Sequence, residues 1–422
     1  MAPSPSVLIV GGGAAGLFCA AQLLEAGVPV TLLERNDKVG RKLGITGKGR
    51  CNLTNACTVS EFLENVPTNP RFLYSAISGL TPADTVAFFE RWGVKTKVER
   101  GNRVFPVSDR AADVVNALRR ACAGGQILTE RVSALCTETD DSGTVRVCGV
   151  CCESGKRYMA DTVVIATGGA SYPRTGSTGD GYALAESLGL AVIPPTPSLC
   201  PLETEEGWCK TLMGLSLRNV SLRMTDGKGG KEIFRDFGEM LFTHFGVSGP
   251  MILSASAHLK DAAQGRYVGV IDLKPALDDK QLDSRLVREL SENPNKNYSS
   301  ILSTLLPAKM VPVFARLSGI DPGKKAHAIT KAERASILSN LRSLTFTVKG
   351  PRPIDEAIVT KGGVSVKELS PATMACKRVQ GLYFVGEVVD LDGYTGGFNL
   401  QIAFATAAAA ARDIANRRRN EE

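Results

Sequence analysis

Residues 7–34 read VLIVGGGAAGLFCAAQLLEAGVPVTLLE, and this stretch decides the fold. A short apolar run at 7–10 has strand propensity and passes at once into G-x-G-x-x-G, formed by Gly11, Gly13 and Gly16. Helix-forming residues continue to Glu25, Gly27 supplies a stop, and a second apolar run at 28–33 ends on Glu34. Strand, glycine turn, helix, strand and acid therefore occur in the order of a complete dinucleotide-binding unit. Gly11 permits the tight turn, Gly13 lets backbone approach a pyrophosphate, and Gly16 lets the helix pack on the sheet. The helix start at Ala14 and Ala15 faces the diphosphate with its positive end. Glu34 is suited to accept from adenosine ribose hydroxyls, and its charge repels a 2′-phosphate.

The stretch 40–55, GRKLGITGKGRCNLTN, turns the reading from NAD towards FAD. Arg41, Lys42 and Arg50 offer charge to a diphosphate, and Gly44, Gly47 and Gly49 let backbone pass close to a flat ligand. Far downstream, a buried strand at 162–166 enters ATGG, with Thr167 and Gly168 in its turn. Another strand, at 381–385, enters GEVVDLDGYTGGFNLQIAFATAAAAA. Ligands of open α/β sheets sit beyond the carboxyl ends of the strands, so these turns converge with the first fingerprint on one cofactor. In that cradle Glu387 is placed to bond a ribitol hydroxyl. A final helix starting near 398–401 and propagated by Ala407–411 points the N–H groups of Asn399 and Leu400 at the flavin pyrimidine, where its positive end favours the charge gained on reduction.

The stretches VLIVGGGAAGL, GRKLGITGKGRCNLTN, TGGASYPRTGSTGDGY, MLFTHFGVSGP and GLYFVGEVVDLDGYTGGFNLQIAF resemble the BaiN-type flavoproteins. That family is also described as aminoacetone-oxidase-like or YhiN-like NAD(P)/FAD-dependent oxidoreductases. The resemblance covers essentially the whole chain and implies three domains. It implies FAD contacts at Glu34, Arg35, Arg41, Lys42, Cys51, Asn52, Gly386, Glu387, Asn399 and Leu400, with the backbone of Val132, on an expected strand 127–135, against adenine. Ala375 and Cys376 stand before Lys377 where the family tends to carry a Glu–Ser pair, which puts the local contact of the returning strand in doubt.

Between the two halves, helical patterns at 81–92 and 111–121 alternate with strands at 145–151 and 156–159, giving a small antiparallel layer beside the parallel sheet. Pro194, Pro195 and Pro197 break the pattern after Gly189. Strands then follow at 215–224 and 266–273, a helical stretch at 277–344, and β structure again at 345–348 and 358–366. The fold class is α/β: a Rossmann-type FAD-binding domain with an antiparallel layer, formed by both chain ends, with an inserted β-rich domain containing a helical subdomain. The expected segments are 1–194 and 374–422 for the FAD domain, 195–275 and 345–373 for the insert, and 276–344 for the helical part. The insert is placed to cover the flavin ring and set substrate selectivity.

The formal charge of +7 comes from 50 basic and 43 acidic side chains, too balanced to indicate nucleic acid by itself. Arg417, Arg418 and Arg419 read as a solvated tail. Eleven scattered cysteines fit reduced thiols in a cytoplasm. The glycine-broken apolar start suits neither a signal peptide nor a membrane span. Flavin performs electron transfer itself, so catalytic side chains are harder to name. His244, in FTHFGVSGP, is a candidate proton donor or a turn-fixing residue; the hydroxyls of Tyr172 and Tyr394 could polarise a ketone or pack on the ring. Cys51 and Cys57 have one residue too many between them for the C-x₄-C of flavin disulfide reductases. Cys148, Cys151 and Cys152 lack a second cluster for a tetrahedral metal site, so no metal is expected. TGSTGDG at 175–181 is no second fingerprint, so NADH or NADPH is expected to dock only transiently.

The expected activity is FAD-dependent, NAD(P)H-linked reduction of an activated C=C bond in a cyclic enone or steroid-like small molecule, as the resemblance implies. The alternatives are an amine oxidase that uses oxygen, and a flavin-holding redox sensor or nucleic-acid-associated protein. Neither a stable nucleic-acid partner nor a membrane is expected, and the oligomeric state is left open.

Overall fold

A computed structural model describes residues 7–227, 229–260 and 265–421. The chain divides into two compact units: Met1–Ser198 with Pro353–Glu422, and Leu199–Arg352.

In the first unit, β1 (Val7–Val10), α1 (Ala14–Glu25) and β2 (Val30–Glu34) form the expected βαβ arrangement. The sheet is parallel throughout, in the order Leu382–Phe384, Val163–Ile165, β1, β2, Gln126–Thr129. Its central strands are buried on both faces, which is why they read as unbroken apolar runs. The two outermost strands on one side come from chain segments more than 200 residues apart. The C-terminal helix Phe398–Glu421 lies against α1, with Phe404 5.0 Å from Phe18 and 5.4 Å from Phe89, ring centre to ring centre. Its Ala407–Ala411 run is buried and presents almost no side chain to hold the helix away.

Three sequence expectations need correction here. The strand expected at 127–135 is two strands in two sheets: Gln126–Thr129 closes the parallel sheet, and Val132–Thr139 begins the antiparallel layer with Val145–Cys152 and Arg157–Met159. Between them Glu130 N–H donates to Glu34 O (2.9 Å) and the Arg131 side chain pairs with Asp180 and Glu153. The prolines at 194, 195 and 197 do not end β structure. Strand Val192–Ser198 runs through them against Val359–Val364, with a bulge between Ile193 and Thr196 that takes Pro194 and Pro195 out of the ladder. Arg418 departs from the expected solvated tail, whereas Arg417 is exposed as expected. The helix carries them on, Arg417 pairing with Asp413 (2.8 Å) and Arg418 with Asp161 (2.7 Å).

In the second unit, Leu202–Thr204, Gly246–Ser248, Lys231–Phe242, Ser216–Asp226, Tyr267–Asp272 and Leu344–Pro351 close into a barrel. Phe346 fills it, and a Cβ on Gly269 would lie 2.1 Å from that ring. The helices Asp279–Glu292, Val311–Ser318 and Lys331–Arg342 lie in sequence between the last two barrel strands. The segment 345–373 is divided: the barrel takes Leu344–Pro351, and residues from Pro353 belong to the first unit because Val359–Val364 pairs there. No described helix is long and apolar enough to cross a membrane.

Candidate flavin site

The glycine turn after β1 is held by the acid at the end of β2. Glu34 Oε2 accepts from Gly12 N–H (2.7 Å), and Oε1 accepts from Asn36 N–H (2.8 Å) and Asn36 Nδ2 (2.6 Å). A carboxylate oxygen accepts more than one bond, so Oε2 retains capacity for a ribose hydroxyl. The two inner glycines differ sharply. A Cβ on Gly16 would lie 1.9 Å from Gly11 O, whereas one on Gly13 would meet nothing within 4 Å. Gly16 serves packing, and Gly13 borders open space beside the start of α1.

Four remote stretches meet at Glu387. Lys42 Nζ donates to Glu387 Oε2 (2.6 Å) and to Ser171 Oγ (2.7 Å). Ser171 Oγ donates to Glu387 Oε1 (3.1 Å), which also accepts from Thr360 N–H (2.9 Å). Thr360 Oγ1 in turn accepts from Ala170 N–H (2.8 Å) and Ser171 N–H (3.1 Å). The expected cofactor residues Lys42 and Glu387 are thus brought together, with Ser171 and Thr360 as partners that sequence reading did not find. The turn after Gly386 is pinned to the last helix by Gly386 N–H donating to Thr406 Oγ1 (3.0 Å). A Cβ on Gly386 would stand 2.8 Å from that of Ala15, so only glycine allows this approach to α1.

The start of the last helix is fixed from its own side chains. Asn399 Oδ1 accepts from Gly393 N–H (2.9 Å), and its Nδ2 donates to Gly393 O (2.7 Å), leaving the backbone N–H groups of the first turn to face outward from the helix end. Leu400 is half-buried beside it. Buried Gln401, another residue not singled out from sequence, accepts from Thr54 Oγ1 (2.7 Å) and donates to Leu80 O (2.8 Å), tying the helix to the stretch after Cys51 and Asn52.

The remaining expected cofactor residues separate into two groups. Asn52 Oδ1 and Thr167 Oγ1 are buried without a hydrogen-bond partner among the described residues, and Gly168 follows Thr167 in its turn. Two orphaned acceptors, open space at Gly13 and two helix starts fit a bound dinucleotide, because each unmet polar group costs about 1–3 kcal/mol until something bonds it. Val132 is buried at the start of its strand, and Gly47 packs close to Asn52 N. The arginines are engaged within the protein. Arg35 donates to Thr178 (2.5 Å) and Asp180 (3.1 Å), and Arg41 to Asn36 (2.8 Å). Arg50 is bound by Glu99 and by Asp109 (2.8 Å) while stacked 4.2 Å above the Phe105 ring.

Of the catalytic candidates, Tyr172 is exposed in a left-handed turn and Tyr394 N–H donates to Asn65 O (2.9 Å); both lie in the first unit. His244 belongs to the second unit, exposed in the bend before Gly246–Ser248 with its ring edge-on to Phe245 at 4.9 Å. Burial pushes the Cys51 thiol up to about 12 and the Cys57 thiol up to about 11, so neither is a thiolate near neutral pH. Asp392, in the same loop as Tyr394, is fully buried; burial raises its pKa, and the 2.6 Å bond from Ser198 Oγ only partly opposes that.

A family profile described as the HI0933-like protein Rossmann domain matches residues 5–413. The chain belongs to that family. Among HI0933-like relatives, the "Ribosomal RNA dihydrouridine synthase" of Haemophilus influenzae is 32% identical over 96% of this chain and 98% of its own length. The "3-dehydro-bile acid delta(4,6)-reductase" of Clostridium scindens is 30% identical over 97% and 98%. The solved 3-ketosteroid delta1-dehydrogenase of Sterolibacterium denitrificans shares the fold at a TM-score of 0.52 and 13% identity, over 98% of this chain and 100% of that one. This HI0933-like chain is an FAD-dependent oxidoreductase with a Rossmann domain.

Two substitutions separate cofactor binding from folding. Gly13→Ala is expected to leave the melting temperature of the FAD-free protein unchanged while weakening FAD binding at least tenfold in a fluorescence titration; Gly16→Ala is expected to lower that melting temperature. Asp392 gives a pH test. A carboxyl whose folded pKa is raised favours the folded state at low pH, and that contribution is lost as pH rises from the unfolded value, about 3.9, through the folded one. The melting temperature of Asp392→Asn minus that of wild type is therefore expected to grow with pH over this window; a flat difference contradicts the assignment.

Proposed function

We propose that this chain saturates a carbon–carbon double bond conjugated to a carbonyl, and that its substrate is a uracil base within RNA. The observation that carries this reading is full-length similarity to two relatives with different named substrates and one shared bond change. Making dihydrouridine adds hydrogen across the C5=C6 bond next to the uracil C4 carbonyl; a delta(4,6)-reductase acting on a 3-dehydro-bile acid removes double bonds conjugated to a ring ketone. Both reactions place a hydride on the carbon remote from the carbonyl and a proton on the adjacent one.

Charge favours the RNA. Residues 199–352 hold 22 Lys and Arg against 16 Asp and Glu, whereas the rest of the chain holds 28 against 27. Almost all of the excess positive charge therefore belongs to the second unit, where it attracts a polyanion far more than a steroid that carries at most a single carboxylate. The similarity to the bile-acid reductase supports a second reading, in which the substrate is a steroid-like cyclic dienone.

FAD, when bound, supplies the hydride. The protein supplies position and charge. The Lys42–Glu387–Ser171 cluster fixes the turns around the cofactor, and the last helix directs its positive end there. Glu34 selects the adenosine ribose, and Asn52 and Thr167 offer the polar atoms that are otherwise unmet. Tyr394 is the proposed proton donor, with Tyr172 and His244 as the other candidates, and NADH or NADPH is the proposed transient electron donor.

The test mixes FAD-loaded protein anaerobically with NADPH or NADH, then with unmodified ribosomal RNA transcript or a 3-keto-4,6-diene steroid, reading flavin absorbance and product mass. Bleaching by the nicotinamide followed by reoxidation with a two-hydrogen mass gain in a uridine is expected. Turnover of the steroid alone transfers the assignment to the second reading. Failure to bleach on the timescale of turnover overturns the nicotinamide-linked reductase.

A further inference from the structure

The antiparallel layer of the first unit contains a pair of thiols that the flavin chemistry does not use. Cys136 on Val132–Thr139 and Cys151 on Val145–Cys152 place their Sγ atoms 3.3 Å apart, and both side chains are only half-buried. Cys151 is a member of the C-x-x-C-C run at 148–152, whose spacing along one chain points to its own neighbours. The ladder pairs it elsewhere: Ala134 lies opposite Cys151 and Cys136 opposite Gly149, which sets the two cysteines diagonally on one face. A disulfide needs its sulfurs at about 2.05 Å, so closure requires a movement of little more than an ångström, within the reach of side-chain rotation.

We propose that Cys136 and Cys151 form a redox-active dithiol, a modification site at which a peroxide closes a reversible cross-strand disulfide. The peroxide O–O bond breaks, one S–S bond forms, and both thiol protons leave on the two reduced oxygens, as two waters when the oxidant is hydrogen peroxide. The two thiols together give up two electrons, one from each sulfur, and the peroxide takes both. A dithiol reductant reverses the reaction by exchange.

The surroundings set its rate and its consequence. Burial and the neighbouring Cys151 push the Cys136 thiol up to about 11, so Cys136 is a poor attacking thiolate at neutral pH and becomes a better one as pH rises. The bond would staple the two long strands of the layer across the turn held by Asp140, whose Oδ1 accepts from Ser142 N–H (2.9 Å) and Thr144 N–H (3.0 Å). The stapled layer starts at Val132, two residues after Glu130, whose N–H bonds Glu34 O. Oxidation therefore stiffens the hairpin next to the acid that holds the glycine turn, and does so without touching the turn itself.

The experiment treats FAD-loaded protein with hydrogen peroxide at pH 7 and pH 9, blocks remaining thiols, and maps peptides without reduction. Loss of two thiols, a 136–151 cross-linked peptide that dithiothreitol removes, faster closure at pH 9 and a higher melting temperature for the oxidised form are expected. Cys148→Ser is expected to leave all of this intact, and Cys136→Ser and Cys151→Ser each to abolish the cross-link while retaining the flavin spectrum. An unchanged thiol count, a bond between Cys148 and Cys151 instead, or oxidation of Cys136 alone to its sulfinic form overturns the proposal. Should either serine variant lose its flavin, alkylation kinetics of the wild type decide: protection of both cysteines together after peroxide supports the pair, and protection of one alone contradicts it.

Discussion

The close approach of the turn at Gly386, near one end of the chain, to the start of α1, near the other, is the constraint on which the first unit depends. The turn at Gly386 must come within contact of Ala15, and the last helix must lie on α1 with only alanines along much of its length. Any larger side chain at Gly386 collides with Ala15 while the hydrogen bond to Thr406 holds the turn in place. The parallel sheet beside this contact is completed by Val163–Ile165 and Leu382–Phe384. Small residues permit this approach, and the hydrogen bond to Thr406 fixes it.

The polar cluster around Glu387 stabilises that arrangement from the other side. A carboxylate shared by a lysine, a hydroxyl and a backbone N–H has its bonding capacity nearly filled, and each donor comes from a different stretch. Partial burial keeps solvent from screening these bonds fully, so they fix relative positions as well as charge. Two arginines expected to offer charge to the cofactor are paired with nearby carboxylates: Arg35 shares Asp180 with Arg131, and Arg50 lies between Glu99 and Asp109. The positive charge available to a cofactor phosphate is accordingly that of helix ends and backbone more than that of guanidinium groups.

Much of this was legible because the relevant signals are local. The run 7–34 combines a buried strand, a glycine turn and an acid within one βαβ unit, and local spacing is enough to read all three. The break inside 127–135 was not legible from β propensity, since apolar residues continue on both sides; the adjacent charges of Glu130 and Arg131 were the available signal. The prolines at 194–197 misled because the rule against proline in strands applies to interior positions, and here a bulge removes two of the three. Ser171 and Thr360 could not be found at all: each is an ordinary hydroxyl residue whose meaning lies in a partner far away in sequence. The ion pairs of Arg50 were illegible for the same reason, because its carboxylate partners lie 49 and 59 residues on.

That both chain ends form one flavin cradle is tested most directly by hydrogen exchange of the protein with and without added FAD. Slowed exchange on FAD addition in two separate places, amides 11–16 and amides 386–400, with the same dependence on FAD concentration, is the expected result. Protection confined to the N-terminal amides, with 386–400 exchanging as fast as before, would contradict the account.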